Sequence, residues 1–520
     1  MSSESGLQMA PQSISSIADS WTYATTALLA TGFLIRVALV FPLSAFPADS
    51  DGVAAGLTAF KILEGQLPVF LPGGFRSGPL SSYVAAGFFA LIGPGRIGLA
   101  LTSVALGLLF LASMSLLLYE VLGRTKPFLV ALLFTVLPPT QFLIVTYVPW
   151  GYQEIMTSAA ITLWLAMKWR HSHAKWKSFL FGLSSGFGLW LSLETLMVSL
   201  PAAVWLLFQG RKLRELPIAI AGAVAGFSPW LVYNLLHGFP SIYQDYVISP
   251  AAGLGQMWSN LWYCLVYNLP TLFASGYSPS GSDDPWGLAN YVIVASYAVI
   301  ATGYLLSSRK SGIAREQKDL WVLFLLIWAA TLGFYAASEA GSTRGWTVRY
   351  VIPVYVLLPL MLSICVTHMG QFSKIVPVIA AAVLLCCNFM LYPLPGTAAR
   401  LKLQADLVRS YDLIAFSRNR HIETVFGDHW MVQYLNFDSN GELKAIPIPL
   451  AHDYYNYRAH VSQENGKWAL VGKDSDDVNG LAAWLGVKGD VLDFGGLTLL
   501  IPTDSVLATY SAKQVVAKLR

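Results

Sequence analysis

The sequence predicts a polytopic α-helical membrane protein with a small α/β domain after its last span. Three observations carry that reading. Of 520 residues, 55% are hydrophobic and 12% are charged, whereas soluble domains carry about 25% charged residues. Apolar runs of about 20 residues, the length that crosses a bilayer as a helix, recur up to Pro395. Beyond that proline the chain turns polar and mixed in charge.

The runs place about eleven candidate spans, at roughly 21–41, 97–121, 128–148, 155–169, 179–191, 196–208, 218–236, 286–306, 320–337, 351–366 and 375–391. The opening MSSESGLQMAPQSISS has no basic region, and the first run is too long for a signal peptide, so it is read as a retained span. Short loops rich in Lys and Arg stay in the cytoplasm. Arg124 and Lys126 mark one such loop. Lys168, Arg170, Lys175 and Lys177, then Arg211, Lys212 and Arg214, then Arg309, Lys310, Arg315 and Lys318, then Lys374 mark the others. Between Glu215 and Ser308 there is no Lys or Arg, so the long polar loop there is expected outside. The same alternation predicts a cytoplasmic N-terminus. It places 46–94, 337–349 and the whole tail on the outer face. Cys264, Cys365, Cys386 and Cys387 show neither a disulfide framework nor a zinc spacing.

The chain therefore divides into a transmembrane part, 1–395, and a small extracytoplasmic domain, 396–520. In the latter, HIETVFGD, LKAIPIP, KWALVGK and LTLLIP read as strands, and WMVQYLNF and DDVNGLAAWLGV as helices. GDVLDFGG reads as a glycine turn. No Walker or dinucleotide motif is present, and nucleic acid is not an expected partner.

The first outer loop, about 45–95, holds two amphipathic stretches. Val53, Leu57, Phe60 and Leu63 recur at helical spacing before Gly65, which predicts a helix lying along the membrane surface. SSYVAAGFFALIG, after Gly78-Pro79, predicts a second. Asp51 thus stands where the first span meets the surface helix. Asp49, Ser50 and Asp51 would also serve as helix-capping residues.

DGVAAGLTAFKILEGQLPVFLPGGFRSGPLSSYVAAGFFALIG resembles the first outer loop of membrane glycosyltransferases of the C superfamily (GT-C). It looks closest to the family 39-like branch related to dolichyl-phosphate-mannose-protein mannosyltransferases. PPTQFLIVTYVPWGYQE, SGFGLWLSLETLMVSLPAAVWLL, GFSPWLVYNLLHGFPS, RYVIPVYVLLPL and GDHWMVQYLNFDSNGELKAIPIP resemble later segments in the same order. The resemblance covers nearly the whole chain. It departs at Gly52, where the branch has a second acid, and at Gly74, Arg76 and Ser81, where relatives often have Gln, Tyr and Glu.

The resemblance implies an inverting transfer of a sugar, a hexose such as mannose. The donor would be a polyprenyl phosphate-linked sugar, and the acceptor a protein, lipid or glycan. The reaction would take place on the outer face of the plasma (inner) membrane. The lipid-linked donor is a co-substrate; no cofactor or metal is assigned. Such chemistry needs a carboxylate to take the acceptor's proton, and Asp51 fits that part. It also needs cations on the departing phosphate. Arg349, which opens RYVIPVY at the outer end of a span, and Arg76 and Arg344 are the candidates; an interface anchor is the plainer reading of Arg349. Tyr152, Glu154, Asp49 and Glu194 are expected in the substrate cavity. Glu154 would also suit a helix start, and an acid as deep in apolar sequence as Glu194 is costly without a role or a partner. Glu339 can pair with Arg344, and Asp283-Asp284-Pro285 reads as a helix cap. His171 and His173 fall in a basic cytoplasmic loop; His237, His421, His429 and His452 lack ligand spacing. A transporter or flippase for lipid-linked sugars is the rival, but paired halves and mid-membrane polar groups are not evident in the sequence. A non-catalytic glycolipid-binding relative is permitted by Gly52.

Overall fold

The computed structural model describes residues 12–44, 50–71, 77–138, 151–172, 174–208, 213–241, 253–269, 288–311, 315–338, 346–370, 375–390, 410–427, 429–447, 467–472, 475–485, 488–494 and 497–503. Its first long helix is α1 (Gln12–Ser44), followed by the two loop helices α2 (Ser50–Leu63) and α3 (Leu80–Ile92). Then come α4 (Arg96–Leu122), α5 (Lys126–Val136), α6 (Tyr152–Arg170), α7 (Lys175–Leu191), a 3-10 turn (Leu193–Thr195), α8 (Leu196–Phe208), α9 (Leu216–Gly226) and α10 (Ser228–His237). The helical part closes with α11 (Leu254–Tyr263), α12 (Leu288–Ser311), α13 (Arg315–Ala337), a 3-10 stretch (Trp346–Leu357), α14 (Leu358–Met369) and α15 (Val376–Met390).

Arg96–Leu122, Gln317–Ala337 and Tyr350–Met369 are long and apolar enough to cross a membrane. Among the described residues, Leu213–Gly226 and Ser228–His237 meet that test only together, as a broken span or a re-entrant loop bent by 61°. The candidate span over 218–236 is therefore bent rather than continuous. Pro229, in the first turn of α10, lacks the N–H that would continue the ladder from α9. The expected span 351–366 is likewise compound: it starts as the 3-10 stretch around Pro353 and becomes α14 with Pro359 in its first turn.

The segment read as a long polar outer loop contains a helix, α11, extended by a π-helical turn over Cys264–Asn268. Asn260 donates to the carbonyl of Ala336 at 3.0 Å, and Asn268 to the hydroxyl of Tyr335 at 2.7 Å. These bonds tie α11 across the C-terminal end of α13. Leu254, Trp258, Trp262 and Leu265 form its exposed stripe, a periodicity that the surrounding Gly, Ser and Pro residues masked.

Charged side chains gather at one end of the bundle. Lys168 pairs with Glu120 and Arg170 with Asp319, both at 2.6 Å. The Arg170 guanidinium lies 4.9 Å from the Trp205 ring. Trp205 donates to the Asp319 carbonyl at 3.1 Å, and Trp169 donates to Glu215. The first loop packs at the opposite end. Ser77 bridges Ser192, Gly78 N–H donates to Leu191 at 3.1 Å, and Trp190 Nε1 donates to Val69 at 3.0 Å. Phe70 meets Tyr233 edge-on at 5.1 Å.

After the helix at 410–419 (α16), a five-stranded sheet forms in the order β2-β1-β3-β5-β4. Its strands are β1 (Ile422–Gly427), β2 (Lys444–Pro447), β3 (Lys467–Gly472), β4 (Gly489–Asp493) and β5 (Thr498–Pro502). β1 pairs parallel with β2 and β3; β5 is antiparallel to β3 and β4. α17 (His429–Asp438) follows β1 and α18 (Ser475–Leu485) follows β3. β4 corrects the reading of GDVLDFGG as a turn. Its backbone is made a strand by pairing with β5, and a Cβ at Gly489 would lie 2.1 Å from the Ile501 carbonyl oxygen.

Candidate active site

The residues singled out from the sequence are distributed unevenly over the described structure. Asp51 lies within the first turn of α2, since that helix begins at Ser50. There the helix dipole favours a carboxylate. Arg349 belongs to the 3-10 stretch. The side chains of Asp51 and Arg349, and the whole of Asp49, Arg76, Arg344, Glu339 and Asp283-Asp284-Pro285, lie outside the described residues.

Tyr152 and Glu154 form the start of α6, which opens after Gly151 in the left-handed conformation (φ 95°). Glu154 is 2% exposed, and no cation among the described residues pairs with it. Instead its carboxylate faces two helix starts: its own backbone amide, and the amide and hydroxyl of Ser81 in the first turn of α3. α3 has Pro79 at its cap position and no capping side chain. A carboxylate from a neighbouring helix thus stands where a cap is missing.

This tie leaves much of the local polarity unused. Both oxygens of Glu154, the hydroxyls of Ser81, Ser82 and Thr157, and Gln153 Oε1 are buried and close no hydrogen bond of ordinary geometry among the described residues. Buried polar atoms are nearly always satisfied, so a cluster without partners points to a ligand or to bound water. Such a cluster can receive hydroxyl groups.

Two neighbours extend the cluster. Gly188 of α7 packs between α6 and the 3-10 turn, where a Cβ would lie 2.3 Å from Ser158 Oγ and 3.2 Å from Thr195 Oγ1. Glu194 in that turn is half-buried, and Ser192 Oγ donates to its Oε2 at 3.1 Å. On the other side, Gly107 of α4 lies against Arg36 of α1. A Cβ at Gly107 would be 2.9 Å from Arg36 Nε and 3.3 Å from Gln153 Nε2. Arg36 is buried and donates to the Gly32 carbonyl at 3.1 Å. The sequence reading missed Arg36 and Gln153. The available signal was that Arg36 is the one charge inside the first apolar run, and ionisable residues in spans mark functional positions.

No known family model and no curated protein matches the chain. Solved structures do. The structure of ArnT from Cupriavidus metallidurans bound to undecaprenyl phosphate is similar, with a TM-score of 0.58 and 11% identity, covering 94% of this chain and 99% of that one. The apo structure of the same protein gives 0.60 and 12%, covering 93% and 98%. At these identities the likeness is one of fold. Over at least 93% of its length this chain is therefore similar in fold to ArnT.

Proposed function

We propose that this protein is an inverting glycosyltransferase that moves a sugar from a polyprenyl phosphate to an acceptor hydroxyl at the outer face of the membrane. The observation that carries the reading is the buried cluster of unpartnered hydroxyl, amide and carboxyl groups around Glu154. It lies at the end of the bundle where the first loop docks, opposite the Lys168–Arg170 end. The likeness to a fold that holds undecaprenyl phosphate in ArnT supports it.

In this reading Asp51 takes the proton of the acceptor hydroxyl as its oxygen attacks the anomeric carbon. The bond from that carbon to the phosphate oxygen breaks on the opposite face, and polyprenyl phosphate leaves. Arg349, with Arg76 and Arg344, would hold the departing phosphate. Glu154, Tyr152 and Glu194 would line the acceptor side, with Asp49 at its rim. The mannosyltransferase-like branch, a hexose donor, the plasma (inner) membrane and the division into 1–395 and 396–520 belong to the same proposal.

The test is turnover by purified protein with a panel of polyprenyl-phosphate sugars. Acceptor-dependent release of free polyprenyl phosphate is expected. Movement of the intact lipid-linked sugar across a vesicle membrane, without release, would favour a flippase.

A further inference from the structure

The end of α17 is built into the first loop. Phe437 stacks on Phe60 of α2 with ring centroids 5.6 Å apart, and lies 6.0 Å from Phe89 of α3. Phe60 and Phe89 are themselves 5.6 Å apart. The ring reaches its place only because α2 has a glycine there: a Cβ at Gly56 would lie 2.4 Å from Phe437 Cε2. Beside it, Arg96 grips Asp438 with a fork, Nε to Oδ1 at 2.8 Å and Nη2 to Oδ2. The two side chains are 7% and 0% exposed.

This ion pair does not serve its own helices. Arg96 is the first residue of α4 and Asp438 the last of α17. A cation at a helix N-terminus and an anion at a C-terminus both stand against the dipole. A buried pair also loses its hydration, and removing one partner strands the other. What the pair and the ring define together is one seating of α17 on α2, α3 and the start of α4, and Gly56 is five residues beyond Asp51 on the same helix.

We infer that Phe437 and Asp438 are positioning residues: the C-terminal domain sets the placement of α2, and through it that of Asp51. Both act through Phe60, Phe89 and Arg96, the residues of α2, α3 and α4 that they contact. The kinetic consequence rests on the function proposed above, whereas the effect on α2 does not.

The experiment uses the full chain in lipid nanodiscs, with Asp438→Asn and Phe437→Leu as mild variants and Phe437→Ala as the severe one. Hydrogen exchange is followed in peptides covering 50–63, with 152–170 as the internal reference. The variants should raise exchange in 50–63 by about tenfold or more while the reference is unchanged, as expected when one local unit opens. In the turnover assay kcat should fall while the donor KM stays within about twofold, because placement of the base matters in the transition state. The double exchange Arg96→Asp with Asp438→Arg restores the pair with both charges favoured by their dipoles, and should recover protection of 50–63. Unchanged exchange there in all three single variants would overturn the inference, as would slowed turnover that resides in KM alone. If the parent chain shows no turnover, the proposed function fails, and the exchange data still decide the positioning.

Discussion

Gly186 of α7 meets the carbonyl of Ala223 of α9 so closely that a Cβ on the glycine would lie 1.9 Å from the oxygen. The contact repeats along the pair. Gly182 meets Ala219, Gly222 meets the Phe179 carbonyl and Gly226 meets the Leu183 carbonyl, each within 1.8–2.2 Å of an added Cβ. Glycines four residues apart on both helices let the backbones touch, as small residues do between helices in lipid. Gly186→Ala should destabilise the protein by roughly 1–3 kcal/mol, since backbone rather than a flexible side chain must give way. Gly87→Ala in α3, where nothing lies within 4 Å, is the control; there the gain in helix propensity should dominate. Thermal unfolding in detergent compares them. Equal melting temperatures for the two variants would refute the close packing.

Asp51→Asn separates a base from a structural acid. Losing a charge near a helix N-terminus costs about 0.3–1 kcal/mol, so expression and extraction should match the parent. Turnover should fall by about a hundredfold to ten-thousandfold, the usual worth of a general base. Asp49→Asn, outside the family register, should change it far less. Arg349→Ala should cut donor efficiency at least roughly tenfold, and Arg349→Lys should recover only part of it. An active Asp51→Asn protein would move the base elsewhere.

Glu154 offers two separable losses. Glu154→Gln keeps the shape of the side chain but not its charge. It should leave melting within a few degrees and raise the acceptor KM about tenfold. Glu154→Ala also empties the buried space beside the start of α3, and should cost about 1 kcal/mol or more in stability. If Glu154→Gln has parental kinetics, the residue only ties α3 to α6.

Topology is tested at Asn440, which is exposed in the turn after α17, whereas neighbouring Ser439 is buried. With the native cysteines replaced, Asn440→Cys should react with an impermeant maleimide from outside intact spheroplasts. Reaction only after access from the cytoplasmic side would reverse the orientation.

Composition and periodicity by themselves determined that this chain is a bundle of apolar helices with a small mixed domain after it. Lipid offers no partner to a bare backbone, so membrane-crossing segments must appear as apolar helical runs. β1, β2, β3 and β5 were legible for a related reason: each carries enough apolar and β-branched residues to read as a strand alone. GDVLDFGG does not. β4 exists because β5 supplies its hydrogen bonds, and no local pattern encodes a neighbour. The run 218–236 read as one span; the break at Pro229 and its 61° angle became visible only in the fold.

The candidate site divides the same way. Asp51 and Glu154 stood out as acids at the ends of apolar runs. Ser82 and Gln153 are ordinary in sequence, and their relation to Ser81 and Arg36 exists only once α1, α3, α4 and α6 pack. Arg96 and Asp438 are 342 residues apart. Each looks misplaced on its own helix, and only the tertiary structure supplies the opposite charge that makes its burial tolerable.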